Sequence, residues 1–179
     1  AQANGYTLQL SGGLDATGGS ITQANNGGTV EFTAAGNLTL DGGGEAFRNL
    51  SVTGGALAVL NAGQLTVNGT LLINAAGASL TTGTGGLSVG GDLTITQGSL
   101  IQGGASAVTG ALSFGGAGTR VLNLGTSNFS IGGNVTGTGG TLTTGTANVF
   151  ALTGNAQSVT LDTGFSTFGL FRVAAAATG

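Results

Sequence analysis

Cys, His, Met, Pro, Trp and Lys are all missing from this chain of 179 residues. Without Cys there is no disulfide and no thiolate metal site, and the redox compartment leaves no mark. Without His, the usual general base and activator of nucleophiles is gone. Charge is scarce too. Six acids face three Arg, and charged residues make up 5% of the chain, against about a quarter in an ordinary soluble domain. A net charge of −3 with no basic cluster argues against nucleic-acid binding, which needs cations for the phosphates. No apolar run approaches the roughly 20 residues of a spanning helix, so no membrane span is expected.

What remains is rich in Gly, with 39, and 40% apolar. Gly and Thr in such amounts suggest disorder, but disordered segments are poor in large apolar residues and rich in charge. Here the apolar residues come as alternating pairs: Leu38/Leu40, Leu50/Val52, Leu65/Val67, Leu87/Val89, Leu93/Ile95, Phe129/Ile131 and Val159/Leu161. Each pair flanks one polar residue and puts two apolar side chains on one face of a strand. Gly-Gly, Asn-Gly and Asp-Gly steps between the pairs read as turns. Only Ala174 to Ala177 look helix-like, and they lack caps.

The pairs recur with a phrase. An apolar residue, any residue, Gly, any residue, then Leu or Val appears as VNGTLLI from Val67, VGGDLTI from Val89, VTGALSF from Val108 and IGGNVTG from Ile131. Looser forms begin at Leu10 and Val52, and residues near 30, 152 and 173 fall close to the same grid. A repeat of about 20 residues with two or three short strands is one coil of a β-solenoid, which buries its apolar residues only against neighbouring coils. The expected fold is all-β: a single parallel β-solenoid (β-helix) over 1–179, with about eight or nine coils of roughly 20 residues. Gly is expected at corners needing a sharp turn or positive φ, and the Phe residues are expected inside. A longer repeat aligns Asn37–Val52 with Ser158–Val173 at an offset of 121, sharing Thr39/Thr160, Leu40/Leu161, Asp41/Asp162, Gly43/Gly164, Phe47/Phe168 and Val52/Val173. The domain therefore reads also as a segment of a longer repetitive protein.

The phrases FRNLSVTGG, LTVNGTLLI, LTTGTGGLSVGGDLTI and GNAQSVTLDTG resemble the β-strand-repeat surface proteins of bacteria, and more loosely filamentous-haemagglutinin-like and autotransporter-passenger regions. That resemblance implies a secreted, cell-surface β-solenoid acting as fibre, stalk, adhesin or coat, and it transfers no catalytic residue. Ala1–Gln2–Ala3 is similar to a signal-cleavage pattern, which fits export.

Parallel β-solenoids also host polysaccharide-active enzymes, so the titratable groups need placing. They are Asp15, Glu31, Asp41, Glu45, Asp92, Asp162, Arg48, Arg120 and Arg172. Asp41, Glu45 and Arg48 form the densest patch, where a glycosidase would need a carboxylate pair about 5–10 Å apart. A solvated corner with a local ion pair is the plainer reading. No catalytic residue is expected, nor a metal site: Ca²⁺-loading solenoids repeat G-G-x-G-x-D, and that array is absent. No cofactor is expected. Thr ladders on a flat face would suit ice, and LTTGT occurs at Leu80 and Leu142, but without a fixed phase on every coil. Sequons lie at Asn37, Asn49, Asn68, Asn128 and Asn134.

The functional expectation is structural: a subunit of an extracellular filament or surface layer, whose partner is itself. No amphipathic helix, charge cluster or proline protects the terminal edges, so head-to-tail stacking is open to them. The alternative is a segment of a large secreted adhesin with surface glycans as partners. An ice-binding or polysaccharide-active solenoid ranks below both.

Overall fold

The computed structural model describes residues 5–21, 27–41, 45–60, 63–116, 118–143, 148–162 and 170–173. Ala1–Ala3, the Ala174–Ala177 patch, Gly43, Gly164 and Phe168 lie outside them. The described residues form strands and turns without a helix, and every strand pairing among them is parallel. The chain winds as a three-sided β-solenoid. Its first face holds Thr7–Leu10, Thr29–Phe32, Asn49–Val52, the starts of Leu71–Thr81 and Leu93–Ile101, then Leu112–Phe114, Val135–Gly137 and Val159–Leu161. The second holds Leu14–Asp15, Gly36–Thr39, Ala56–Leu60, the ends of those two long strands, Arg120–Asn123 and Thr141–Thr143. The third holds Ala46–Phe47, Leu65–Val67, Leu87–Val89, Ser106–Val108, Phe129–Ile131, Val149–Leu152 and Leu170–Val173.

Six turns carry a strand on all three faces, fewer than the expected eight or nine. The first face holds eight strands, but among the described residues the first turn has no strand on the third face and the last has none on the second; one further count has another origin. Val67, Val89, Val108 and Ile131 stand in one column of the third face, whereas the looser phrases from Leu10 and Val52 start on the first face. The step from Val52 to Val67 therefore crosses the second face within one turn and adds no turn. On the third face, successive steps from Phe47 to Val173 are 20, 22, 19, 23, 21 and 21 residues.

Parallel strands sit about 4.8 Å apart, so each inward side chain packs on its counterpart one turn away. On the first face this makes the column Leu8, Val30, Leu50, Leu71, Leu93, Leu112, Val135 and Val159. The second face stacks Leu57, Leu80, Leu100, Leu122 and Leu142, all buried. On the third face Phe129 and Phe150 stack with ring centroids 5.8 Å apart and an interplanar angle of 18°, an offset arrangement aromatic pairs favour. Phe32, Phe47 and Phe114 are buried with them. The core is not wholly apolar. Thr82 and Gln102 are buried at the end of the second face, where Gly103 N–H donates to Thr82 Oγ1 at 3.0 Å and Gln102 Nε2 donates to Asn128 O at 2.8 Å.

The recurrent Gly of the phrase is a column too: Gly69, Gly91, Gly110 and Gly133 follow one another at the corner leading into the first face. Each hydrogen-bonds back one turn, Gly91 N to Gly69 O at 2.9 Å, Gly110 N to Gly91 O at 3.0 Å and Gly133 N to Gly110 O at 2.8 Å. None of the four has positive φ. What they need is room. A Cβ on Gly133 would sit 2.6 Å from Ala111 N and from the Gly110 carbonyl carbon. Close backbone approach, not left-handed geometry, keeps glycine here. Gly133→Ala should therefore lower stability by about 1–3 kcal/mol in guanidinium denaturation. Gly115→Ala, where a Cβ meets nothing within 4 Å, should stay within about 0.5 kcal/mol.

Candidate functional site

The scarce acids are spread along the solenoid, and most of them staple one turn to the next. Glu31 accepts from Gln9 Nε2 at 2.7 Å and Thr53 Oγ1 at 2.8 Å, one partner on each side. Asp92 Oδ1 accepts from Ala111 N–H at 2.8 Å. Asp92 belongs to a corner column that runs Asn49, Thr70, Asp92, Ala111, Asn134, Ser158. Asn49 Oδ1 accepts from Thr70 N–H at 3.0 Å, and Asn134 Oδ1 from Ser158 N–H at 2.9 Å. A side-chain acceptor thus stands on every second turn and caps the N–H above it. In the sequence, Leu87–Leu100 and Phe129–Leu142 align two turns apart at an offset of 42, with Asp92 opposite Asn134, in keeping with this alternation.

Asp41 and Asp162, matched in the long repeat, do the same work at different corners. Asp41 Oδ2 accepts from Gly18 N–H at 2.6 Å and Asp162 Oδ2 from Gly139 N–H at 2.5 Å. Gly18 and Gly139 have φ of 71° and 70°, the left-handed geometry that glycine adopts without strain. Yet Asp41 follows a strand of the second face, Gly36–Thr39, and Asp162 one of the first, Val159–Leu161. The long repeat is shifted by one face.

The Asp41, Glu45 and Arg48 patch is solvated only in part. Asp41 is exposed and holds Gly18 as described. Glu45 is 5% exposed, continues the inward line of Leu65 at the start of the third face, and its Oε1 has no hydrogen-bond partner. Arg48 is half-buried, and its carbonyl accepts from Gly69 N–H at 2.6 Å. Asp15 lies across the turn from Asp41. The Thr17 hydroxyl, at 2.6 Å, and then the Thr17 N–H, at 2.9 Å, hold its carboxyl below the ordinary 3.8, while slight burial and the Asp41 charge push the other way.

Arg120 is the residue whose role the sequence hides. It is 5% exposed and occupies the column position of Gly98 at the corner between the first and second faces. Its Nε donates to Gly139 O at 3.0 Å, its Nη2 to Thr138 O at 2.8 Å, and its Nη1 to Gly116 O. One guanidinium thus joins two turns through three carbonyls, a use of its rigid fork of donors. Arg172 is exposed at the end of a shallow trough of about 410 Å³ on the third face. The floor is small side chains, among them Ala105, Ala107, Ser130 and Ala151, with Gln64 at the other end.

The two LTTGT phrases fall in one outward column, but Ile101 and Asn123 separate Thr81 from Thr143, so they make no continuous Thr rank. Among the sequons, Asn49 Nδ2 donates to Gly27 O and Gly28 O, and Asn128 and Asn134 accept from the following turn. Asn37 and Asn68 are exposed. Among the described residues no helix is long and apolar enough to cross a membrane, and no group of three His, Cys, Asp or Glu could hold a metal ion.

The edges stand out instead. Among the described residues, no strand pairs with the outer side of Thr7–Leu10, Val159–Leu161 or Leu170–Val173. The first-face column is buried from Val30 to Val135 and opens at both ends, with Leu8 52% and Val159 39% exposed. Tyr6, 51% exposed, lies beside Leu8.

Two outcomes check the staples. Arg120→Met removes three charge-assisted donors and should cost about 1.5–3 kcal/mol, read by chemical denaturation. The Asp15 contribution is present above its unfolded value of 3.8 and is lost as the pH falls through the lowered folded one. Thr17→Val should move the Asp15 titration, followed by carboxyl NMR, back toward 3.8. Comparison with family models, curated proteins and solved structures finds no match to the chain, so its function has to be read from this geometry.

Proposed function

We propose that this chain is a structural subunit of an extracellular filament or cell-surface layer, built by head-to-tail stacking of solenoid edges. One observation carries the reading: the apolar column of the first face ends in an exposed Leu8 at one edge and an exposed Val159 at the other. Each edge lacks what the other offers. An unpaired parallel strand is a template for another strand, and a contact between unlike ends repeats without closing. Low charge leaves little repulsion to oppose it. The side chains supply shape and staples rather than reaction chemistry, and export to the cell surface goes with this reading.

A second reading, a segment of a large adhesin, is favoured by the same edges, since a following coil of one longer chain would cover them equally well. The trough between Gln64 and Arg172 would then be the place for a surface glycan. Electron microscopy of the 179-residue chain, diluted from denaturant at micromolar concentration, separates the two. Long uniform fibres are expected. Monodisperse rods about 35 Å long would remove self-assembly and leave the adhesin segment.

A further inference from the structure

Resting on the stacking reading, the geometry points to one specific joint: Val159–Leu161 of one copy pairs in parallel with Thr7–Leu10 of the next, Val159 against Leu8 and Leu161 against Leu10. The partner is a second copy of this chain.

The register follows from the internal steps. In the first-face column, Leu50, Leu112 and Val135 donate their N–H groups onward, to Thr70 O, Asn134 O and Ser158 O at 2.9–3.0 Å. Val159 continues that column, so its N–H and C=O point outward from the last turn. At the other edge, Thr29 N–H donates back to Tyr6 O and Thr33 N–H to Leu10 O. The equivalent groups one turn earlier, on Thr7, Gln9 and Ser11, point out of the first turn. Parallel pairing in this phase makes four backbone bonds: Val159 N–H to Thr7 O, Gln9 N–H to Val159 O, Leu161 N–H to Gln9 O, and Ser11 N–H to Leu161 O.

Further observations support this phase. A slip of one residue would place Val159 against an outward Thr7 or Gln9 and turn an apolar row to solvent. In the proposed phase Leu8 and Val159, the two exposed ends of the buried column, cover each other, and the half-buried Leu10 meets the half-buried Leu161. The outward residues are compatible. Thr160 lies against Gln9 and Asp162 against Ser11, so no like charges meet on this face. The order of faces also agrees, since a strand of the first face follows one of the third in every turn.

The chain has no Cys, which makes the joint testable by cross-linking. Gln9 and Thr160 are exposed and outward, so their replacement leaves the core intact. In register they come about 4.8 Å apart, within the Cα separation a disulfide spans. The double variant Gln9→Cys/Thr160→Cys should, on oxidation of assembled chain, give a ladder of covalent multimers on a non-reducing gel. Thr7→Cys/Thr160→Cys, two residues out of phase, should give at least tenfold less. Fibres that cross-link equally or better with the second pair, or with neither, would overturn the joint while leaving self-assembly standing. Absence of fibres and of multimers in both variants and in the unmodified chain would overturn both.

Discussion

The spacing of one turn upon the next governs this molecule. Parallel strands about 4.8 Å apart leave no freedom in what stands above what. Every inward side chain must fit the same position one turn on, and every corner must let two backbones pass at hydrogen-bond distance. The Leu column from Leu57 to Leu142 meets the first demand and the Gly column from Gly69 to Gly133 the second. Glu31, Asp41, Asp92, Asp162, the corner amides and two of the three Arg120 bonds serve the same spacing, since those partners lie one turn away. Charge is rare, and most of it stands at corners; Glu31 and Arg172 lie within strands.

Some of this was legible in the sequence. Leu65/Val67 and Leu87/Val89 read as inward pairs of successive turns, and they are paired in register. The Gly at their corner was legible as a requirement but not as to its kind, because a sequence shows a missing side chain and not the backbone that would strike it. The number of turns was overestimated because Val52 and Val67 carry similar phrases on different faces of one turn, and because the two end turns do not carry a strand on every face among the described residues. Arg120 could not be found: a single Arg among Gly and Thr has no spacing to betray it, and its partners are carbonyls, which carry no letter. Glu45 misled in the opposite sense. An acid in a Gly-rich stretch suggests solvent, whereas its phase with Leu65 turns it inward. The capping column from Asn49 through Asp92 to Asn134 was visible only as a two-turn self-similarity, and its meaning needed the N–H groups it holds.

The one-face shift of the long repeat bears on how such a chain is built. If each face demanded its own vocabulary, a repeat would have to return to the same face to fit. Here Asp41, after the strand Gly36–Thr39, and Asp162, after Val159–Leu161, make the same backward contact to a left-handed Gly from different faces. The unit that fits anywhere is then an arc, one strand with the turn that precedes it, and not a whole coil.

Because the backbone hydrogen bonds lie along the axis, the solenoid has an unusual response to being pulled. Tension on the two ends loads the interfaces between turns in series, so each carries the full force and the weakest yields first. Once it opens, only the single covalent strand at one corner still joins the two halves, and extension proceeds by peeling turn from turn. A sheet pulled along its strands would share the load among many bonds at once. Staples such as Arg120, which grips the backbone of more than one turn, therefore act as local reinforcement against axial rupture.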